Sequence, residues 1–260
     1  MNKFELALIT GASSGLGKAL AHQLANLHIP LILTGRDQRK LTDLAALLSQ
    51  KTPVNTLACD FADPKERSRL IELIQESIPD LVINNAGFGL YGDILTHPTS
   101  SQMEILEVDG LAVMQISIEA ARALKAKKKP GTIVNVSSAA AFFPYPTFAA
   151  YASSKSFVNQ FSQAFDAELK PHNIRILTTC PGQIATQFRK RASLGHPQKS
   201  SKLAMSPQKA ASYILEQIRT GKSLYIFDWR TRFAVYFSRL IPKKLLIAYL
   251  KKSLSNRVKN

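Results

Sequence analysis

The segment Thr10-Gly-Ala-Ser-Ser-Gly-Leu-Gly17 decides the fold of this chain. It follows a short apolar run, Phe4 to Ile9, that predicts a buried strand, and it precedes Lys18 to Leu27, where apolar residues recur at helical spacing. Glycines allow the backbone to turn tightly and to approach a phosphate, and a helix N-terminus offers free N–H groups with a partial positive charge. Strand, glycine turn and helix in this order therefore predict a dinucleotide-binding unit.

A second motif, Tyr151-Ala-Ser-Ser-Lys155, lies far downstream of the glycine turn, with the serine pair Ser137 and Ser138 before it. In a helix, residues i and i+4 share one face, so the Lys155 ammonium can lie beside the Tyr151 phenol. A cation there favours the phenolate. Because tyrosine titrates near pH ~10, a proton donor working near neutrality needs roughly 4 kcal/mol of electrostatic help.

The glycine spacing and the Tyr-x-x-x-Lys motif together resemble the short-chain dehydrogenase/reductase family, from about Phe4 to Thr186. The resemblance implies an α/β Rossmann-type fold, with a doubly wound parallel sheet and helices on both faces. It also implies a nicotinamide-dependent oxidoreductase that interconverts a small-molecule carbonyl and an alcohol. We expect one such domain over residues 1–228 and a basic amphipathic helical tail over residues 229–260.

The resemblance assigns cofactor contacts to the glycine turn, to several strand ends and to the Tyr-x-x-x-Lys motif. The implied residues are Gly11, Ser13, Ser14, Gly15, Leu16, Gly17, Arg36, Asp60, Asn84, Asn85, Ala86, Gly87, Tyr151, Lys155, Pro181, Gly182 and Thr186. Three of these segments also have ordinary local interpretations. Asn-Ala-Gly is typical of a turn, Asp60 of a helix cap, and Pro-Gly of the end of a strand.

The second predicted strand, Leu31 to Thr34, bears on the choice of cofactor, since it ends in Gly35-Arg36-Asp37. A carboxylate at this strand end suits the ribose 2′-hydroxyl of NAD, whereas an arginine suits the 2′-phosphate of NADP. Glycine occupies the slot of the acid and Arg36 follows it, so the sequence favours NADP(H). Asp37 keeps NAD(H) open as an alternative, although we interpret it as the N-cap of a helix over Gln38 to Leu48.

Of the two serines, Ser138 is the predicted catalytic hydroxyl, because it precedes Tyr151 by thirteen residues, the spacing typical of the family. By resemblance, Ser138 polarises the substrate carbonyl and Tyr151 gives it a proton. Lys155 binds the nicotinamide ribose and tunes the pKa of Tyr151.

Asp109 is a departure from the family pattern, which has asparagine in a Val-Asn motif where this chain has Val108-Asp109-Gly110. By resemblance, the asparagine helps to hold a water that links the lysine to solvent. A carboxylate near Lys155 should raise the pKa of Tyr151. Asp109 therefore predicts either altered pH dependence or, as an alternative function, a catalytically weakened dinucleotide-binding or membrane-associated sensor or scaffold.

Composition agrees with one folded domain, since 45% of the 260 residues are hydrophobic and 20% are charged. The cysteines, Cys59 and Cys180, lie at predicted strand ends and indicate buried thiols in a reducing compartment. The five histidines show no ligand spacing, so no metal is expected. The first apolar stretch is too short for a signal peptide, which predicts a cytoplasmic protein.

The C-terminal tail is strongly basic in a chain of net charge +16, with nine Lys and Arg residues and no acidic residue after Trp229. Aromatic and aliphatic residues recur there at helical spacing, first Phe233, Tyr236, Phe237 and Leu240, and after Pro242 also Leu246, Tyr249, Leu250 and Leu254. Such helices suit an anionic membrane surface, and the alternative is packing on the domain or on a second subunit. Specific nucleic-acid binding is not favoured, because the aromatic residues follow helical stripes.

The substrate region is expected in two segments. Gln183 to Pro207, which contains Phe188, Arg189 and Arg191, is expected to close over the substrate. The bulky residues Phe142, Phe143, Tyr145 and Phe148 lie between Ser138 and Tyr151 and favour an apolar substrate, with an acidic group left open. The resemblance also implies a homo-dimer or homo-tetramer through helices that begin near Leu111 and Ala152.

Overall fold

The computed structural model describes residues 4–195, 204–238 and 240–258. Within these residues the chain forms one sheet of seven parallel strands in the order β3-β2-β1-β4-β5-β6-β7. The strands are β1 (Ala7–Thr10), β2 (Leu31–Gly35), β3 (Val54–Ala58), β4 (Leu81–Asn84), β5 (Gly131–Val136), β6 (Ile174–Thr179) and β7 (Leu224–Tyr225).

Helices cover both faces of the sheet. They are α1 (Gly15–Asn26), α2 (Gln38–Leu48), α3 (Pro64–Ser77), α4 (Thr99–Leu106), α5 (Ala112–Ala126), α6 (Ala149–Leu169), α7 (Phe188–Ala192), α8 (Pro207–Thr220), α9 (Trp229–Ser238) and α10 (Lys243–Val258). One apolar core lies beneath α1, α2 and α8, and a second lies beneath α3, α5 and α6. The doubly wound α/β fold predicted from the sequence is therefore confirmed.

The order of the strands determines where a ligand site can form on the sheet. The chain runs from β1 outward to β3, then crosses back to β4 on the other side of β1. The connections after β1 and β4 leave in opposite directions, and this opens a crevice at the carboxyl ends of these strands, where ligands of such sheets bind. The glycine turn follows β1, and the Asn-Asn-Ala-Gly segment follows β4.

The first strand is shorter than predicted, because it begins at Ala7 instead of Phe4. The buried carboxylate of Asp80 accepts hydrogen bonds from the backbone N–H groups of Glu5 (3.0 Å) and Leu6 (2.9 Å). Because the Glu5 and Leu6 N–H groups donate to the Asp80 side chain, they do not pair with a neighbouring strand, and β1 begins only at Ala7. In contrast, α2 has the predicted bounds, since Asp37 accepts from the Lys40 N–H as its N-cap.

The first helix of the C-terminal tail packs on the domain. Val235 of α9 is buried in a cluster with Cys180 and Ile226, and the Thr231 hydroxyl donates to the Asp228 carboxylate at 2.8 Å. The boundary at residue 228 stays a prediction. Of the helices formed by the described residues, none combines the length and the apolar character needed to cross a membrane.

Candidate active site

The glycine turn is fixed against the end of β4. Thr10 Oγ1 accepts from the backbone N–H groups of Asn85 and Ala86, both at 2.9 Å, and the Asn85 side-chain amide donates to the Thr10 carbonyl at 2.9 Å. A Cβ on Gly17 would overlap the Gly11 carbonyl oxygen, and Gly11 itself has φ +65°. Only glycine at both positions allows this approach.

The N-terminus of α1 is built to receive an anion. Ser14 is the N-cap of α1, yet its hydroxyl makes no capping hydrogen bond. The backbone N–H groups of the first turn therefore face the crevice with no side-chain acceptor from the cap, and the helix dipole adds positive potential there. These features fit the pyrophosphate of a dinucleotide.

A cavity of about 680 Å³ begins at this turn and continues to the Tyr-x-x-x-Lys motif. Most of the predicted cofactor residues line it, namely Gly11, Ser13, Ser14, Gly15, Leu16, Arg36, Asp60, Asn85, Ala86, Gly87, Tyr151, Lys155, Pro181, Gly182 and Thr186. Asp109 and Ser138 of the predicted catalytic set line it as well. One cavity thus holds both motifs that the sequence places far apart.

Asn84 and Gly17 do not line the cavity. The Asn84 side chain is buried and donates to Ser117 Oγ at 3.1 Å and to Asn135 Oδ1 at 2.9 Å, which ties β4 to α5 and β5. Asn85 instead holds the turn. Asn84 and Gly17 therefore lie outside the cavity, where they hold in place the segments that line it.

Lys155, Tyr151 and Ser138 converge at the far end of the cavity. Lys155 Nζ donates to the Val136 carbonyl at 3.1 Å and lies 5.7 Å from the centroid of the Tyr151 ring. The Ser138 hydroxyl lies beside the Tyr151 phenol, near enough to lower the pKa of that phenol. Both Tyr151 and Lys155 are buried, so their charges are poorly screened by solvent.

The two serines after β5 have different partners. Ser137 Oγ donates to the Lys155 carbonyl at 3.0 Å and so ties α6 to the strand. Ser138 Oγ accepts from the Ala140 N–H at 3.1 Å. Ser138, and not Ser137, is therefore the serine whose hydroxyl lies beside the phenol.

Asp109 lies in direct contact with Lys155. Its Oδ2 is 3.1 Å from Lys155 Nζ, and its Oδ1 accepts from the Phe88 N–H at 2.9 Å. The side chain is fully buried, and Asp109 sits in a single π-helical turn, Glu107–Leu111, between α4 and α5. Such turns occur often at functional sites. The sequence predicted a charge near Lys155, and the structure forms an ion pair.

Burial controls the proton affinity of this cluster. It raises the pKa of Asp109, and the Lys155 ammonium and the Phe88 N–H oppose that rise. Burial is also the main cause that raises the pKa of Tyr151 above its usual value, with the Asp109 carboxylate raising it further and the Ser138 hydrogen bond lowering it. Without further positive charge in the cavity, Tyr151 is therefore a protonated phenol.

Aromatic rings form the wall beside Tyr151. The Phe148 ring stacks on Tyr151 at 4.3 Å, Tyr91 lies 4.4 Å from Phe148, and Phe188 of α7 lies 5.4 Å from Tyr151. Phe142 does not line the cavity and instead contacts the cluster around Cys180. The apolar wall predicted from the sequence is present, with Tyr91 as an unpredicted member.

Some lining residues had no recognisable sequence pattern. Thr231 and Ala234 of α9 reach the cavity, as do Phe61 and Val108. Val108 adjoins Asp109 in the segment Val108-Asp109-Gly110, whereas the other three belong to no local motif and reach the cavity only through the fold. Among the described residues, no group of three His, Cys, Asp or Glu side chains is arranged to hold a metal ion.

Comparison with known proteins places this site in a family. The model for short chain dehydrogenases matches residues 5–196. The chain belongs to the short-chain dehydrogenase family. It is an oxidoreductase of the class that interconverts alcohols and carbonyl compounds.

Several relatives of this short-chain dehydrogenase have assigned activities. Sulfoacetaldehyde reductase 2 of Chromohalobacter salexigens is 31% identical over 71% of this chain and 74% of its own length. A very-long-chain 3-oxoacyl-CoA reductase of Phaeosphaeria nodorum is 33% identical over 71% of this chain, which spans only 56% of that relative. A solved short-chain dehydrogenase of Sphingobium yanoikuyae, in complex with NADPH, superposes with a TM-score of 0.82 at 25% identity and covers 90% of this chain and 93% of its own.

The contact between Asp109 and Lys155 generates a test of pH dependence. The family resemblance implies that alcohol oxidation uses the Tyr151 phenolate, and the Asp109 carboxylate raises the pKa of that phenol. We expect Asp109→Asn to lower the pKa of Tyr151 and to move the rise of kcat/KM for alcohol oxidation to lower pH. The measurement is the pH–rate profile of both proteins with one alcohol substrate.

Asp43→Asn is the matched control, because it removes the same charge from an exposed position on α2, outside the cavity. Its profile should equal that of the unmodified protein. Superimposable profiles for Asp109→Asn and the unmodified protein would show that Tyr151 does not sense the carboxylate, and would contradict the assignment.

Proposed function

We propose that the protein is an NADP(H)-dependent reductase of apolar carbonyl compounds, working reversibly as an alcohol dehydrogenase. The observation that carries the proposal is the continuity of one cavity. It joins a pyrophosphate-type glycine turn at one end to the buried Ser138, Tyr151 and Lys155 cluster at the other.

Each residue of the cluster has a role that follows from its contacts. In reduction, the Ser138 hydroxyl donates a hydrogen bond to the substrate carbonyl oxygen, and Tyr151 transfers its phenolic proton to that oxygen. Lys155, held by the Val136 carbonyl and by Asp109, keeps a positive charge beside Tyr151 and stabilises the phenolate that remains. The bound cofactor supplies the hydride.

Tyr151→Phe tests this function. Loss of a positioned general acid typically costs about 10²- to 10⁴-fold in rate. We expect turnover of NADPH with a panel of aliphatic and aromatic ketones to fall by that order while NADPH binding persists. The aromatic stacking on Phe148 can be kept by the phenylalanine, so the variant should stay folded.

Ser137→Ala is the comparison variant, since Ser137 contacts the Lys155 backbone and not the phenol. It should lose much less activity than Tyr151→Phe. Equal activity of Tyr151→Phe and the unmodified protein would contradict the proposed role. Saturable NADPH binding by the unmodified protein without turnover of any ketone would favour the alternative function, a weakened dinucleotide-binding sensor or scaffold.

The preference for NADP(H) rests on the end of β2. Gly35 occupies the strand end, and the exposed Arg36 guanidinium lies at the cavity rim, 3.9 Å from Glu104 Oε1. The Asp37 carboxylate accepts hydrogen bonds from the backbone N–H and the side-chain ammonium of Lys40. These bonds compete with any hydrogen bond from the ribose 2′-hydroxyl of NAD to the same carboxylate. Similar solved proteins hold NADPH in one case and NADH in another, so the chain's own residues carry this proposal.

Arg36→Ala should remove the preference for NADPH. A hydrogen bond to a charged group contributes about 1.5–3 kcal/mol, so we expect NADPH binding to weaken about 10- to 100-fold and NADH binding to change little. Fluorescence titration of both cofactors measures this without any substrate. The exposed neighbour Arg39, outside the cavity, provides the charge-matched control Arg39→Ala. An unchanged NADPH-to-NADH ratio in Arg36→Ala would exclude Arg36 as the phosphate ligand.

The proposed substrate is hydrophobic or lipid-like. Phe143, Tyr145, Phe148 and Phe188 line the cavity near Tyr151, and a very-long-chain oxoacyl-CoA reductase is among the relatives. Apolar walls favour an apolar substrate because its burial releases structured water.

We also propose that the protein binds anionic membrane surfaces through α9 and α10. The large apolar residues Trp229, Phe233, Tyr236, Phe237 and Leu240 are more than half exposed, and exposed cations such as Arg232, Lys243 and Lys244 lie among them. Each cation near an anionic leaflet contributes about 1 kcal/mol. The inner side of α9 meanwhile lines the cavity through Thr231, which would place the substrate site next to the membrane.

A homo-dimer or homo-tetramer is the proposed assembly. Leu111, directly before α5, and Phe157 of α6 are 45% and 41% exposed, and Phe157 stacks on Phe161. This apolar patch suits a contact between copies of the chain. Light scattering should give the mass of a dimer or larger, and a monomer at high concentration would contradict it.

Phe233→Glu combined with Phe237→Glu tests the membrane proposal. We expect the unmodified protein to co-sediment with phosphatidylserine vesicles, less so at high salt, and the double variant to stay in the supernatant. Leu47→Glu with Leu95→Glu alters exposed apolar residues elsewhere by the same charge and should still sediment. Equal sedimentation of the two double variants with the vesicles would contradict the proposal. If Phe233→Glu with Phe237→Glu still sedimented with the vesicles but lost the mass of the oligomer, the exposed face of α9 would instead be a contact between subunits.

A further inference from the structure

The segment around α7 spans the cavity from the catalytic end to the glycine turn. At one end the Phe188 ring lies 5.4 Å from the Tyr151 ring. At the other end Arg191 Nη2 donates to Ser14 Oγ at 3.1 Å. The Ala192 carbonyl also accepts from the Tyr91 N–H at 2.8 Å. This short helix therefore contacts both the cofactor end and the substrate end of the same cavity.

The residues that precede α7 are held by backbone hydrogen bonds, and α7 itself lies along the cavity. The backbone of Met205 accepts from the Ala185 N–H at 2.8 Å and donates to the Gln183 carbonyl at 2.9 Å. Thr186 follows directly and packs against the turn, since a Cβ on Gly15 would lie 3.1 Å from its methyl group. Residues 186–195 thus form a lid with a fixed root.

Ser14 is the unusual partner in this arrangement. As the N-cap of α1 its hydroxyl would ordinarily accept from an N–H group of the first helical turn, but it makes no such bond. Instead it accepts from Arg191. The guanidinium is consequently held at the point where free N–H groups and the helix dipole attract a phosphate.

We propose that Arg191 is a pyrophosphate ligand that latches the lid over the bound cofactor. The proposal rests on the dinucleotide-binding function proposed above. A guanidinium group can donate to two phosphate oxygens at once, whereas the Ser14 hydroxyl offers it a single neutral acceptor. Phosphate is therefore the stronger partner for Arg191. Exchange of Ser14 for the pyrophosphate therefore strengthens the attachment of the lid when cofactor enters.

The latch couples the two ends of the cavity. Because Phe188 and Arg191 belong to the same short helix, anchoring Arg191 on the pyrophosphate also fixes Phe188 against Tyr151. Bound cofactor then holds the apolar wall of the substrate site in the arrangement that the structure shows.

Arg191→Ala tests the latch, and Lys190→Ala is its control. Lys190 is the adjacent residue, equally basic and exposed, and it does not line the cavity. Two quantities are measured on the full chain, the NADPH dissociation constant by fluorescence titration and hydrogen exchange of residues 184–195 with and without NADPH. Neither measurement requires a substrate.

In the unmodified protein NADPH should slow hydrogen exchange in the lid. Arg191→Ala should weaken NADPH binding about 10- to 100-fold, the cost of one charged hydrogen bond, and should abolish that protection at saturating NADPH. Lys190→Ala should change neither quantity. Reduced nicotinamide mononucleotide, which has no pyrophosphate, should bind both variants equally.

Each contrary result has a distinct meaning. If the unmodified protein does not bind NADPH, the proposed function fails, and the latch fails with it. If NADPH binds the unmodified protein and Arg191→Ala equally, only the latch is overturned. Weaker binding with full protection of the lid, or equal losses in Lys190→Ala, would also overturn it.

Discussion

The hydrogen bonds between Thr10 and the end of β4 are the constraint on which this active site depends. They hold the glycine turn against Asn85 and Ala86, where the connections after β1 and β4 leave in opposite directions. Gly17 has no side chain that would separate the turn from these residues. The same turn begins α1 and carries Ser14, which meets the lid. One close backbone approach thus sets the cofactor crevice and the point of contact for Arg191.

The catalytic end depends on a different physical balance. Asp109 and Lys155 are both removed from water, and a buried ion pair must recover its desolvation cost through close contact and additional hydrogen bonds. Phe88 and Val136 supply those bonds from the backbone. The carboxylate orients the lysine but also opposes ionisation of Tyr151, so the positive charge of an oxidised nicotinamide matters more here than it would beside asparagine.

The sequence predicted those features that local chemistry determines. The bounds of α2 follow from the Asp37 cap, and the motifs that resemble the family implied the doubly wound parallel sheet, although not the order of its strands. The predicted start of β1 at Phe4 was wrong, because the Asp80 carboxylate, distant in sequence, accepts hydrogen bonds from the backbone N–H groups of Glu5 and Leu6. Sequence also could not assign Asn84 and Asn85 to opposite sides of one strand end, nor bring Thr231 to the cavity, since these depend on packing between remote elements.

We expect this cavity to perform hydride transfer with the Asp109 carboxylate in place. The most direct measurement is a single turnover with NADPH deuterated at the transferable position, followed by mass spectrometry of the products from an apolar ketone panel. We expect deuterium on the former carbonyl carbon of at least one product. Saturated NADPH binding with no label in any product would contradict it and would indicate a protein that binds the dinucleotide without using it.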